Sequence, residues 1–208
     1  GSIYWHMVSK LLLAVQENVY QAAGSEDDTL SALIDAYYDI RAGLSFNKTP
    51  QVYGAFPLDP YSHTPRDAGA KQPGMTGLVK EEVLTRIAEL GIVVAQGQIR
   101  CVPLLLRADE FLDAPATMRY ISADDATHDL DIPQNAYAFT FCRVPFIVEF
   151  GEVNRFVVTL SDGTQQTTAD FALSTETSQH IFAHDGTVKQ VNVQLDSDVF
   201  AHLREAYS

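Results

Sequence analysis

The sequence predicts an α+β protein in which helices come first and an antiparallel β-sandwich follows. Two observations carry this. Apolar residues recur at three- and four-residue spacing as far as Leu90, and from Ile92 onward the pattern changes to short alternating runs separated by turn residues. A third observation divides the first part: a Pro- and Gly-rich loop over 45–77 interrupts the helical pattern. The predicted domains are a helical segment, 1–91, carrying that loop, and a β-sandwich domain, 92–208. With 46% hydrophobic residues in 208, the chain holds enough apolar material for a core in one or two domains.

Tyr4 to Ala23 reads as the first helix. Trp5, Val8, Leu12, Val15, Val19 and Ala22 make its stripe, and Gly24 offers a stop. Asp27 to Ala42 reads as the second, capped by Ser25 or Asp27, with Leu30, Leu33, Ile34, Tyr37 and Ile40 on one face and Gly43 at its end. The short link predicts an antiparallel pair that needs further helices or the β-domain against it. Val79 to Leu90 gives a third helix, with Val79, Val83, Ile87 and Leu90 expected inward and Gly91 as its C-terminal cap. Predicted strands are 91–95, 98–103, 117–121, 136–142, 145–150, 155–160, 165–169, 180–183 and 188–195. Ser161-Asp162-Gly163-Thr164 and His184-Asp185-Gly186-Thr187 are two turn signals of the same kind. Asp198 to Tyr207 reads as a short closing helix. Helix-like sequence begins almost at the first residue, which predicts the tail end of a longer protein.

The net charge of −13, split −4 and −9 about Ile92, contains no Lys/Arg run, so a nucleic-acid or anionic-membrane partner is not expected. The apolar run Leu11–Val15 is too short to span a bilayer and lacks a cleavage pattern. Cys101 and Cys142 define neither a metal site nor a disulfide framework. They read as buried free thiols, and the expected compartment is the cytoplasm.

A long irregular loop inside a compact domain is costly to order and is usually functional or disordered. The segment YGAFPLDPYSHTPRDAGAKQPGMTG, Tyr53 to Gly77, is punctuated by Tyr53, Phe56, Leu58, Tyr61 and Met75, and so reads as ordered. It offers Asp59, Tyr61, His63, Arg66, Gln72 and Thr76 to a ligand. The competing reading is a packed connector. Thr76-Gly77 opens the third helix, where free N–H groups and the dipole favour an oxyanion or phosphate; equally, Thr76 serves as an N-cap. Glu81 and Glu82, in the first turn, are the candidate catalytic carboxylates. Neighbouring helical residues do not share a face, so at most one looks into a given site. The expected apolar stripe leaves both towards its edges or solvent, as first-turn acids satisfying the dipole. His63 beside Asp59 and Asp67 lacks a second ligand at metal spacing, so no metal and no cofactor is expected.

No Gly-x-Ser-x-Gly elbow, P-loop, dinucleotide fingerprint or kinase element occurs. The order of parts is nevertheless informative: a helical pair, then DPYSHTP…AG…QPGMTG, a helix, ELGIVVAQGQIRCVPLLL, and strands. This resembles the C-terminal end of the α-toroid (six-hairpin barrel) carbohydrate-active enzymes, especially the cellobiose and chitobiose phosphorylase type. Asp59-Pro60-Tyr61 corresponds to a Glu-Pro-Tyr in that family, Thr76-Gly77 to its phosphate-holding Thr-Gly, and Leu90-Gly91-Ile92 with Gly97-Gln98-Ile99 and Pro103 to its segment after the last barrel helix. His63 is the nearest counterpart of a phosphate-binding loop histidine. Pro73-Gly74-Met75 replaces the family's Trp-Leu, and the family's general-acid Asp lies earlier in the barrel than this chain reaches.

The resemblance implies a fragment or subunit of a glycoside hydrolase or phosphorylase. Its partners would be carbohydrate, with phosphate where the bond is broken by phosphorolysis, and either the rest of a larger protein or further copies of itself. Two competing readings remain. A binding module would hold a glycan on Tyr120, Tyr137 or Phe146. A structural partner would dock another chain on the face bearing Trp5, Val8, Leu11, Leu12 and Val15.

Overall fold

The computed structural model describes residues 2–23, 29–44, 79–169 and 171–196. The chain is α+β, with helices first and strands after, and it forms two compact units, Gly1–Glu89 and Leu90–Ser208. No helix among the described residues is long and apolar enough to cross a membrane. The closing helix predicted over 198–207 lies outside the described residues.

The first unit holds α1 (Ser2–Ala22), α2 (Thr29–Ala42) and α3 (Val79–Glu89). α1 packs on both of the others. Leu12 and Val19 of α1 and Ile34 and Tyr37 of α2 are buried, as their spacing predicts. Tyr20 Oη donates to the Ala88 carbonyl at 3.0 Å and Gln16 Nε2 to that of Thr85 at 3.1 Å, so α1 and α3 run side by side in the same direction.

α3 departs from expectation. Val83 and Leu84 are 49% and 52% exposed, while Glu81, Glu82, Thr85 and Glu89 are buried. The helix is amphipathic, but its polar face is the inner one. The reason lies on α1 and α2, which present Gln16, Tyr37 and Arg41 to it, so carboxylates find compensating partners there and valine would not.

The second unit contains three sheets. β1 (Ile92–Ala95) and β2 (Gln98–Cys101) form a hairpin turned by Gln96 and Gly97, both at positive φ, the signature of a two-residue primed turn. β3 (Ala116–Ile121) and β4 (Thr127–Ile132) form a second hairpin. β5 (Ala136–Phe141), β6 (Val144–Gly151), β7 (Arg155–Leu160), β8 (Gln165–Thr168) and β9 (Val188–Asp196) make a five-stranded sheet of order β5-β6-β9-β7-β8. β6 is buried on both faces from Val144 to Val148, as a central strand should be. Phe146, Val148, Phe156, Val158, Val191 and Val193 form the heart of the sheet.

The segment 180–183, expected as a strand, belongs instead to helix α4 (Thr175–Ala183). Ser174 caps it by accepting from Thr177 N at 3.0 Å, and Ser178 and Ile181 return at helical spacing to the buried side. α4 leads the chain into β9, which pairs parallel to β6 and antiparallel to β7. Parallel neighbours need a crossover, and turn spacing along the sequence cannot announce one. The strand region is therefore a mixed sheet with a helical crossover, where the spacing predicts purely antiparallel pairing. β4 was not anticipated either. Its sequence Thr-His-Asp-Leu-Asp-Ile is held less by burial than by cross-strand pairs: Arg119 to Asp129 at 2.9 Å and Thr117 to Asp131 at 3.0 Å.

Candidate functional site

Of the loop residues expected to meet a ligand, Asp59, Tyr61, His63, Arg66, Gln72, Thr76 and Gly77 all lie outside the described residues. Glu81 and Glu82 lie within them, and both are buried, at 4% and 8% exposure, rather than turned towards solvent.

Their surroundings separate them. Arg41 is buried between two carboxylates, with Nη1 2.8 Å from Glu82 Oε2 and Nε 2.9 Å from Glu89 Oε1. Tyr37 Oη donates to Glu89 Oε1 at 2.6 Å, and Arg86 Nη1 reaches Glu89 Oε2 at 3.2 Å. Gln16 Nε2 approaches Tyr37 Oη at 3.3 Å. Burial, and then the Glu89 charge, hold the Tyr37 hydroxyl far above the ordinary phenol range, so it stays protonated and donates to Glu89 while accepting from Gln16. Glu82 and Glu89 are thus consumed by a charge-paired network that joins α2 to α3. Glu81 differs. Its Oε1 sees the exposed Lys80 ammonium at 3.9 Å, and its Oε2 is buried with no hydrogen-bond partner among the described residues. Buried polar atoms are nearly always satisfied, and one that is not calls for an explanation.

The second unit carries a half-open cleft of about 240 Å³. Tyr120, Ser122, Asp124 and His128 come from the β3–β4 hairpin and its turn, Arg143 from the β5–β6 turn, Ser161 from the start of the β7–β8 turn, and Lys189 from the start of β9. The β5–β6 turn is Cys142-Arg143, with φ of 49° and 64°. Two consecutive left-handed residues make the primed turn that suits the strand twist, although neither residue type favours it. That turn brings Arg143 onto Asp125, itself left-handed at the β3–β4 turn.

Asp124 organises the hairpin end. Its Oδ1 accepts from Ser122 Oγ and from Ala126 N at 3.0 Å, and His128 Nε2 stands 3.5 Å away. The Ser122 hydroxyl and the Ala126 N–H hold its carboxyl down at about 2. Ser122, Asp124 and His128 are the residue types of a hydrolytic triad, but their order is wrong for one. A nucleophile needs the imidazole beside it, with the carboxylate behind; here the carboxylate sits between serine and histidine. The group can bind and orient, but it cannot activate Ser122.

The other aromatics proposed as glycan platforms are internal. Tyr137 donates to the Leu90 carbonyl at 3.0 Å and packs edge-on to Phe111, and Phe146 is fully buried beneath Phe139. Among the described residues, no group of three His, Cys, Asp or Glu side chains is placed to hold a metal ion. Sequence reasoning named Tyr120 and passed over Asp124, Arg143 and Lys189. The available signal was the Ser122-Ala123-Asp124-Asp125 turn, whose side chains cap their own backbone.

No family model matches the chain. A search of curated proteins likewise returns no match.

Proposed function

We propose that this chain is the C-terminal part of an α-toroid carbohydrate-active enzyme. It supplies the last helices of the barrel, one substrate- and anion-binding loop and a strand-rich domain. The observation that carries this reading is the inverted face of α3. A helical unit that stood alone would turn Val83 and Leu84 inward and Glu81, Glu82 and Glu89 outward. The opposite arrangement, with Met7 and Leu11 of α1 also exposed, suits helices that have neighbours on both sides. A ring of helical hairpins provides such neighbours, and the motifs between Asp59 and Pro103 point to the same family.

Within that reading the loop 45–77 leads into α3 and brings Asp59, Tyr61, His63, Arg66, Gln72, Thr76 and Gly77 to sugar and phosphate. They act by positioning and charge stabilisation. The reaction is cleavage of a glycosidic bond by phosphate or water. Of the two first-turn carboxylates, Glu82 is the partner of Arg41, and Glu81 is the one whose buried oxygen has no hydrogen-bond partner among the described residues. Glycoside hydrolysis needs a pair of carboxyl groups across one bond, so the remaining proton donor comes from the preceding part of the enzyme.

The test is an assay of the 208-residue chain and of the longer protein on a panel of disaccharides, with and without inorganic phosphate. The longer protein is expected to turn one of them over, and Thr76→Ala to raise its KM for phosphate at least about tenfold if the nucleophile is phosphate. The chain alone is expected to be inactive. Turnover by the chain alone, or no glycoside activity in the longer protein, overturns the proposal.

A further inference from the structure

We propose that the cleft at the end of the β3–β4 hairpin is a separate binding site for one neutral sugar ring of a glycan. Four segments distant in sequence build it, and their chemistry is mixed in a way that selects the ligand. Tyr120 gives a half-exposed ring, tilted against His128 at 5.7 Å between centroids, and with it a flat apolar wall. The C–H face of a pyranose packs on such a wall, as apolar faces do on aromatic rings generally.

The polar groups complement hydroxyls rather than a net charge. Asp124 uses Oδ1 for its own turn, which leaves Oδ2 as an acceptor from sugar hydroxyls. Lys189 is exposed near the start of strand β9 and makes no ion pair among the described residues, so its ammonium is available as a donor. Ser161 adds a hydroxyl that can give or take. Arg143 is fixed by Asp125, so it shapes the wall. Two cations, Lys189 and Arg143, and the Asp124 carboxylate line the site. An anion placed there meets Asp124, and a cation meets Lys189 and Arg143, so a neutral ligand with many hydroxyls is favoured over either. Size agrees: about 240 Å³ falls below the roughly 300–1,000 Å³ of ordinary small-molecule pockets. One ring fills a cleft of that size.

None of the residues of this site belongs to the loop 45–77, and the experiment separates the two. Amide chemical shifts of the 208-residue chain are followed while maltose, cellobiose, inorganic phosphate and glycine are each titrated in. A disaccharide is expected to move the resonances of residues 120–128, 143 and 186–189 in a saturable way, with a dissociation constant in the millimolar range. Tyr120→Ala is expected to weaken that binding at least about tenfold. Lys189→Ala, on an exposed position, weakens it about threefold and guards against a folding defect in the tyrosine variant. Saturable shifts confined to the loop 45–77 would overturn this proposal and leave the toroid reading standing. So would shifts in the cleft with phosphate or glycine but not with sugar, or no saturable shift with any probe.

Discussion

Glu81 and Glu82 are adjacent in sequence and equally hidden, yet they should respond to mutation in opposite ways. Glu82→Gln leaves Arg41 with one carboxylate instead of two and removes a charge-assisted bond, so a loss of about 2–3 kcal/mol is expected in urea melts. Glu81→Gln keeps the shape and removes a buried charge with an unsatisfied oxygen. It should leave stability unchanged or raise it by up to about 1 kcal/mol; under the proposed function it should also abolish turnover in the longer protein if Glu81 touches substrate. Equal destabilisation by both would assign Glu81 to the structural network. The two cysteines give a second contrast. Burial pushes the Cys101 thiol up to about 12, from an ordinary value near 9, whereas Cys142 lies at a turn and is only partly covered. A thiol reagent at pH 8 should therefore modify Cys142 first. The sign of the linkage follows. The folded chain keeps the Cys101 proton that the unfolded chain releases, so this contribution to stability is complete below pH 9 and declines as the pH rises towards 12. The wild type should lose stability over that range more steeply than Cys101→Ala.

At the scale of elements, turns and helices repeat one chemistry in different roles. Ser161-Asp162-Gly163-Thr164 joins β7 to β8, and His184-Asp185-Gly186-Thr187 joins α4 to β9. In each the aspartate accepts from the threonine N–H two residues on, at 2.8 and 2.9 Å, and the glycine takes a left-handed φ. The pattern marks both corners and cannot say whether a strand or a helix precedes them, which is why 180–183 was open to misassignment. The β5–β6 turn invites a direct test. Replacing Cys142-Arg143 with Asn-Gly supplies residues that accept positive φ and should stabilise the chain by about 1 kcal/mol, read as a higher melting temperature. Because it removes Arg143 from the cleft, the same variant should bind sugar more weakly. Existence and spans of α1, α2 and most strands were legible, because they follow from periodicity within one segment. The face that α3 buries was not, since that depends on Arg41 and Tyr37, which lie 41 and 52 residues before their partners Glu82 and Glu89. The cleft was not legible either. Tyr120, Arg143, Ser161 and Lys189 share no spacing and meet only through strand pairing.

At the scale of the whole molecule, the first unit exposes Met7, Leu11, Val83 and Leu84 on two helices that pack together. Large apolar side chains at a surface promote association where they form one patch. The chain alone should show a concentration-dependent size in sedimentation, and Val83→Glu with Leu84→Glu should shift it towards monomer without lowering the melting temperature. A size independent of concentration in the parent chain would mean that this face needs no cover. In the second unit, the last strand in sequence is central in space. β9 joins the β5–β6 hairpin to the β7–β8 hairpin by six residue pairs on each side. During synthesis, then, neither hairpin has its neighbour until residues 188–196 leave the ribosome, and the sheet closes by insertion rather than by growth from one end. A message broken off after Gly186 would yield, not a protein with a frayed border, but two ribbons with nothing between them. The segment that quality control must wait for is therefore among the last of the described residues to be made.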